Sequence, residues 1–171
     1  MQKMKQLILL VLSSLFIGSL YARPMGKVTD GTRVVIVDFG YSIKLPAGMK
    51  TELKGKKDPL NYRFPWFKGN NGFLNFAIVN QNLPQADLTR AFDSHINQLH
   101  GWIKYTGKSK LLNLPSGIKS IRAEFEGSGD AKIVRYYFIN HHKQLCYVHL
   151  LYIDPEDKSL ETAIQETIKQ A

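Results

Sequence analysis

Alternating apolar and polar residues between Lys119 and Ile153 predict a β-meander near the carboxyl end of the chain. Ile121, Ala123 and Phe125 alternate with polar residues, which is typical of a strand with one buried face. Two breaks rich in turn-forming residues, GSGD and NHHKQ, divide the stretch into three parts of strand length. The pattern therefore predicts three consecutive antiparallel strands.

The length of the first turn determines which residues lie opposite each other. If residues 128 and 129 are the central pair of a two-residue hairpin turn, Ala123 lies opposite Val134 and Arg122 lies opposite Arg135. A shift of one residue would move every side chain to the other face of the sheet. The predicted register therefore depends on this turn.

The second turn predicts a row of three basic side chains on one face of the meander. Pairing Ile139 with Leu145 aligns the apolar residues of the last two strands. Arg122, Arg135 and His149 then follow one another across the opposite face. Two arginines directly opposite each other repel, so a nearby group has to compensate their charge.

Two interpretations of this row remain open. Glu124 and an acid from a covering helix could neutralise it, which is common in ion-pair networks that only support structure. Alternatively, the two guanidinium groups and His149 could bind a carboxylate or phosphate. Arg122, Arg135 and His149 are thus the candidate anion-binding residues.

The best helical pattern in the chain covers residues 85–100. Asp87 is a suitable N-cap, and Gly101 is placed to end the helix. His95 lies on the apolar stripe, where a histidine is usually packed in the core. The stripe consists of Leu88, Ala91, Phe92, His95, Ile96 and Leu99.

A second helix is predicted at about residues 155–169. Asp154 and Pro155 are typical of an N-cap and a first helical position. Leu160, Ile164 and Ile168 form its apolar stripe. Residues 33–39, 41–45, 73–79, 102–105 and 108–114 have the composition of strands, with Gly40 predicting a bulge or bend and Gly107 an interruption.

The first 22 residues have the layout of a secretory signal peptide. Lys3 and Lys5 precede the apolar run LILLVLSSLFIGSL, and Ala22 is the best final residue of the leader. The run is short for a membrane span, which needs about 20 residues, so an uncleaved anchor is the lesser alternative. We therefore expect a periplasmic or secreted protein with a flexible segment at 23–32 and one domain at 33–171.

The formal net charge of +9 favours contact with an anionic partner. Removal of the leader would take away two lysines and no acid, nine minus two, so the mature chain would keep +7. A predicted surface loop contains Lys50, Lys54, Lys56 and Lys57, which could bind an anionic membrane or cell-wall polymer weakly. Nucleic acid is not expected, because no recognised binding motif is present.

Three aromatic residues, Tyr62, Phe64 and Trp66, alternate with other positions around Pro65. The proline predicts an edge strand or an extended loop. The aromatic side chains could form a ledge on which a ligand stacks, although such residues more often cover a core. They are a candidate ligand surface.

No catalytic or metal-binding motif is found in the sequence. Cys146 and His149 are three residues apart on a strand, so their side chains point to opposite faces and cannot act together. His141 and His142 lack further ligands at metal spacing. We expect no enzyme activity, no cofactor and no metal.

The order of elements, together with YSIKLPAG at 41–48 and LCYV at 145–148, resembles the PsbP-like superfamily. This group includes the PsbP proteins, the DcrB-type envelope proteins and the Ran-binding Mog proteins. The resemblance covers the chain from about Arg33 to the end. It implies an α+β fold, an α/β/α sandwich with a central antiparallel sheet and helices on both faces, and a binding or assembly role without catalysis.

The sequence thus favours an exported accessory protein of the cell envelope that binds an unidentified envelope protein or an anionic surface. A small-ligand carrier is an alternative, and it requires a pocket between sheet and helix lined by the aromatic ledge and both arginines. A hydrolase is a third, and it requires a Ser or Cys within hydrogen-bond reach of His95, His100 or His149.

Overall fold

The computed structural model of this chain describes residues 26–29, 33–36, 40–46, 48–52, 66–69, 72–79, 87–101, 103–152 and 158–170. Within these residues the chain forms one large and one small antiparallel sheet and two helices. The strands are β1 Gly26–Thr29, β2 Arg33–Ile36, β3 Tyr41–Lys44, β4 Lys50–Glu52, β5 Trp66–Gly69, β6 Gly72–Ile78, β7 Lys104–Asn113, β8 Lys119–Glu126, β9 Lys132–Ile139, β10 Leu145–Tyr152 and β11 Lys169–Gln170. The helices are α1 Leu88–Asn97 and α2 Ser159–Thr167.

The large sheet has seven described strands in the order β4-β5-β6-β10-β9-β8-β7. All neighbouring strands in it are antiparallel. β8, β9 and β10 are adjacent at its centre, which confirms the predicted three-stranded meander. The small sheet has the order β1-β2-β3-β11.

The register between β8 and β9 differs by one residue from the prediction. Ala123 pairs with Arg135, and Arg122 pairs with Tyr136. The connection is longer than two residues, because a short 3-10 turn at Ser128–Asp130 is closed by a hydrogen bond of 2.8 Å from the Gly127 N–H to the Ala131 carbonyl. With either register the apolar residues of β8 and β9 face a covered side of the sheet, since core residues of both strands are packed on both faces.

The register between β9 and β10 is the predicted one, with Ile139 opposite Leu145. Asn140 closes this turn, donating its N–H to the Gln144 carbonyl at 2.9 Å. The apolar residues of the two strands therefore share one face as expected, including Tyr136 opposite Val148 and Phe138 opposite Cys146.

Helix α1 confirms the first helix prediction in a shorter form. The Asp87 carboxylate accepts hydrogen bonds from the backbone N–H groups of Thr89 and Arg90 at 3.0 and 3.2 Å, which caps the helix. Ala91 and Phe92 are buried against the large sheet. The helix ends at Asn97, before the predicted Gly101.

Helix α2 confirms the second prediction, with Leu160, Ile164 and Ile168 buried against the opposite face of the large sheet. The predicted cap at Asp154 and Pro155 lies outside the described residues. Beyond the helix, Lys169–Gln170 pairs with β3 as a short strand, which the helical pattern had not indicated.

Several segments outside the meander are more ordered than their composition indicated. Gly26–Thr29 is a strand within the segment expected to be flexible, and Lys50–Glu52 is a strand where a loop was expected. Gly40 has φ +66 and lies between β2 and β3, which pair antiparallel, so of the expected bulge or bend the chain forms a bend between two strands. β7 is one strand whose register shifts between Tyr105 and Ser109, around Gly107.

The two helices pack on opposite faces of the large sheet, which confirms the α/β/α arrangement. We call these the α1 face and the α2 face. The small sheet shares the α2 face, with Ile43 and Leu45 in the same core as Leu160. Within the described ranges, neither helix has the length and apolar composition needed to cross a bilayer.

Candidate functional site

An ion pair between half-buried Arg122 and buried Glu161 joins helix α2 to the large sheet. Arg122 Nε and Nη2 donate to the two carboxylate oxygens of Glu161 at 2.5 and 3.1 Å, and Nη1 donates to Glu124 Oε1 at 2.7 Å. The Tyr136 hydroxyl donates to Glu161 Oε2 at 2.6 Å and accepts from Gln165 Nε2 at 2.6 Å. The arginine is therefore neutralised by two acids, one from the covering helix.

The protonation of Glu161 follows from these contacts. The residue is only 6% exposed. Burial alone would raise the pKa of its carboxyl group, but the hydrogen bonds from Arg122 and Tyr136 outweigh burial and lower this pKa to about 2. Glu161 is thus a carboxylate at neutral pH, and the same hydrogen bond raises the pKa of Arg122.

A second arginine, Arg135, is buried on the α1 face in a different environment. Arg135 is 4% exposed, and its Cζ lies 4.8 Å from the ring centroid of Phe125 and 4.4 Å from that of Tyr147. Its Nε donates to His149 Nδ1 at 3.2 Å, and Nη1 donates to the Tyr137 hydroxyl at 3.2 Å. In the part of the chain that the structure describes, no acid pairs with Arg135.

The histidines around Arg135 are neutral at physiological pH. Burial, and secondly the charge of Arg135, lower the pKa of His149 to about 3 and that of His95 to about 4. The His95 ring lies 5.6 Å from that of Tyr137, and its Nε2 is buried without a hydrogen-bond partner. The Arg135 guanidinium is therefore surrounded by aromatic rings and neutral hydrogen-bonding groups on the α1 face.

The predicted row of three basic residues is not formed. Arg135 and His149 are opposite each other as predicted. Arg122 lies on the other face, because the longer turn shifts the β8 register by one residue. The two arginines therefore lie on opposite faces of the sheet and do not line one cavity together. Glu124 binds Arg122 and not Arg135.

The Cys146 thiol and the His149 ring are on opposite faces of β10, as expected. Cys146 packs in the core under α2, where burial raises the pKa of its thiol to about 12. His149 faces Arg135. In the described ranges no group of three or more His, Cys, Asp or Glu side chains could hold a metal ion.

Most of the other candidate residues lie outside the described residues. This applies to Lys54, Lys56 and Lys57 of the predicted lysine loop and to Tyr62 and Phe64 of the aromatic ledge. Lys50 begins β4, and Trp66 begins β5 in register with Asn75. Their proposed roles stay predictions.

The structure also shows a basic groove that the sequence analysis missed. It has a volume of about 590 Å³ and lies beside the shifted register between β7 and β8. The Thr106 hydroxyl donates to the Glu124 carbonyl at 3.0 Å inside this irregular part. Gly107 inside a strand pattern was the available signal. Lys104, Lys108 and Lys132 line the groove together with Tyr105, Thr106, Glu124, Phe125 and Glu126.

Comparison with solved structures finds the solution structure of cyanobacterial PsbP (CyanoP) from Synechocystis sp. PCC 6803. The TM-score is 0.52 and the sequence identity 12%, over 87% of this chain and 100% of that chain. The fold is PsbP-like. At 12% identity the PsbP-like fold is what the two proteins share, and it carries no residue roles. No protein-family model matches this chain, and no curated protein gives a significant match.

Proposed function

We propose that this chain is an exported, non-catalytic binding or accessory protein of the cell envelope within the PsbP-like superfamily. It acts by protein–protein contacts or by weak contacts with anionic surfaces. Residues 1–22 direct export, and the single domain at 33–171 carries the binding function.

The observation that carries this proposal is the use of the buried ionisable groups. Arg122 and Glu161 bind each other across the α2 face, and Arg135 is held by Tyr137 and His149 on the α1 face. Arg122 and Glu161 join the large sheet to α2, whereas Arg135 binds neighbours within the sheet, so the two arginines do not converge on a common cavity. Their chemistry supports structure, which leaves the surface for function.

The surface charge supports an anionic partner. The exposed lysines of β7 and the groove beside it add to the lysine loop at 50–57. Exposed cations attract anionic partners over about 10 Å at moderate ionic strength and over about 3 Å at 1 M salt. Binding by these residues is therefore expected to weaken as salt rises.

Affinity capture from envelope extracts tests the proposal. Mature chain, residues 23–171, is immobilised and exposed to extract at low salt and at about 1 M salt. A variant with Lys50, Lys54 and Lys57 changed to Glu serves as the surface control, and unfolded chain controls for nonspecific adsorption. We expect capture at low salt that falls at high salt and in the variant.

Two outcomes would contradict parts of this proposal. Capture that does not change with salt would remove the anionic-surface mechanism. Absence of any captured component at either salt, combined with hydrolysis of a test ester or peptide bond by the purified chain, would contradict a non-catalytic binding function. Mass spectrometry of the exported protein would show whether the chain begins at Arg23.

A further inference from the structure

Strand β7 is an exposed edge of the large sheet. It is ten residues long, and of the described strands only β8 pairs with it. Seven of its residues are exposed, namely Lys104, Gly107, Lys108, Ser109, Lys110, Leu111 and Asn113. An edge of this length presents backbone N–H and C=O groups that another extended chain can bind.

The half of β7 that follows the register shift is suited to such pairing. Residues 109–113 pair with residues 119–123 of β8 without interruption. In a regular antiparallel strand, alternate residues direct their backbone groups away from the existing partner. Residues 109–113 therefore offer a short, regular template on their outer side.

The two central side chains of this template, Lys110 and Leu111, differ in chemistry and lie on opposite faces. Lys110 lies on the same face as Arg122, its register partner, whereas Leu111 lies on the face of Ile121. The Leu111 side chain is 56% exposed. Among the described residues it is the large hydrophobic side chain that is exposed to solvent. A partner strand with acidic and apolar residues in alternation would match both.

The groove beside the template extends the same charge. Lys104, Lys108 and Lys132 line it with Glu124 and Glu126. Glu124 is bound to Arg122, which leaves Glu126 as the acid facing three lysines. An acidic residue at the end of an added strand would therefore lie near the lysines of this groove.

We propose that the outer edge of β7 binds an extended acidic segment of a partner protein as an additional antiparallel strand. The backbone of residues 109–113 provides the hydrogen bonds, while Lys110 and the groove lysines select acidic side chains. The inference rests on the proposed binding function and names the partner chemistry. A second copy of this chain is a poor occupant, because each copy carries a net charge of +9 and would bring the exposed lysines of its own β7 to this edge.

Fluorescence polarisation with a labelled peptide of alternating Glu and Val tests this surface at low salt, with a Lys and Val peptide of equal length as the probe control. We expect the acidic peptide to bind and the basic one not to bind. Lys110→Glu is expected to weaken binding about tenfold, since it replaces an attraction by a repulsion. Arg90→Glu, an equal charge change on the exposed part of α1, is the matched control and should leave affinity unchanged.

Amide hydrogen exchange separates strand addition from simple charge attraction. Bound acidic peptide should slow exchange at alternate residues of 109–113 and leave α1 unchanged. No binding of the acidic peptide, equal binding by Lys110→Glu, or unchanged exchange in β7 would overturn the proposal. Salt-sensitive capture from envelope extracts together with a negative peptide result would reject this edge while leaving the proposed binding function intact.

Discussion

Each face of the large sheet contains an arginine, half-buried Arg122 on the α2 face and buried Arg135 on the α1 face, and the groups around the two side chains differ. On the α2 face, Arg122 pairs with Glu161 and Glu124. On the α1 face, Arg135 lies between Phe125 and Tyr147 and donates to the neutral acceptors His149 and Tyr137. One face thus depends on an ion pair, and the other on polarisable rings and neutral hydrogen bonds.

This difference determines what remains when either arginine is removed. Without Arg122, a buried carboxylate would lose its counter-charge. Without Arg135, only neutral groups would lose a partner. A buried charge without a partner lowers the free energy of unfolding more than a buried neutral group without a partner does. Similar substitutions should therefore have unequal effects on stability on the two faces.

The largest effect is expected for Arg122→Met. Glu161 would stay buried with only neutral donors, which should cost about 3 kcal/mol in the free energy of unfolding. Urea unfolding at pH 7 measures this loss. Lys110→Met, at the register partner on the exposed edge strand, should change stability by less than about 0.5 kcal/mol. The double variant with Glu161→Gln should recover part of the loss, and failure to recover would argue against the ion pair as the cause.

A smaller effect is expected for Arg135→Met. The thioether side chain fills much of the space between the two rings, while the Tyr137 hydroxyl and His149 Nδ1 each lose a donor. We expect a net loss of about 2 kcal/mol in the free energy of unfolding. The loss is smaller than that of the two hydrogen bonds alone, because the variant no longer has to bury the arginine charge. A loss equal to or larger than that of Arg122→Met in the same urea titration would contradict the difference between the faces.

Acid should weaken the α1 face before the α2 face. The pKa of His149 is lowered to about 3 in the folded protein, against 6.5 in the unfolded chain. The stability that comes from neutral His149 is therefore fully present above pH 6.5, and it is lost as pH falls from 6.5 towards 3, because the unfolded chain binds a proton that the folded protein does not. The pKa of Glu161 is lowered to about 2 from 4.5, so its contribution is lost only below pH 4.5.

Urea unfolding at pH 7 and pH 5 isolates the histidine contribution. We expect the wild-type chain to lose about 2 kcal/mol of unfolding free energy from His149 over this interval. His149→Asn keeps a hydrogen-bond acceptor without titrating in this range, so its stability should fall less. A parallel pH dependence of the two proteins would assign the acid sensitivity to other groups.

The smallest effect concerns the start of helix α1. Asp87→Ala removes the side-chain cap on Thr89 and Arg90 and should cost about 1 kcal/mol. Asp93→Ala, at an exposed position within the same helix, is the control and should change stability little. Helix α2 begins at Ser159, and its N-cap residue Lys158 gives no side-chain cap, so this helix should depend more on its ion pair. Equal losses for both Asp87 and Asp93 variants would remove the capping role.

Much of the fold was predictable from local pattern. The alternation in residues 119–153 and the apolar stripe of α1 follow from the periodicity of strands and helices, and the Asp87 cap follows from backbone chemistry. The register at the second turn was also predictable, because one pairing aligns the apolar residues. These features depend on neighbours in sequence.

The candidate site was less predictable, because it depends on one residue of register. The sequence does not reveal that residues 127–131 form a five-residue connection closed at Gly127 and Ala131. Both registers bury apolar residues, since both faces of the sheet are covered, so hydrophobic pattern could not choose between them. The exposed edge at β7 likewise depends on the final strand order.

The sequence by itself determined the meander, the two helices and their apolar stripes, since period and capping are local properties of the chain. Only the tertiary structure decided which face each arginine occupies and which acid it meets. That outcome comes from a turn length and from the docking of α2, which brings Glu161 to Arg122 across 39 residues of sequence. Long-range contacts of this kind have no local signature in the chain.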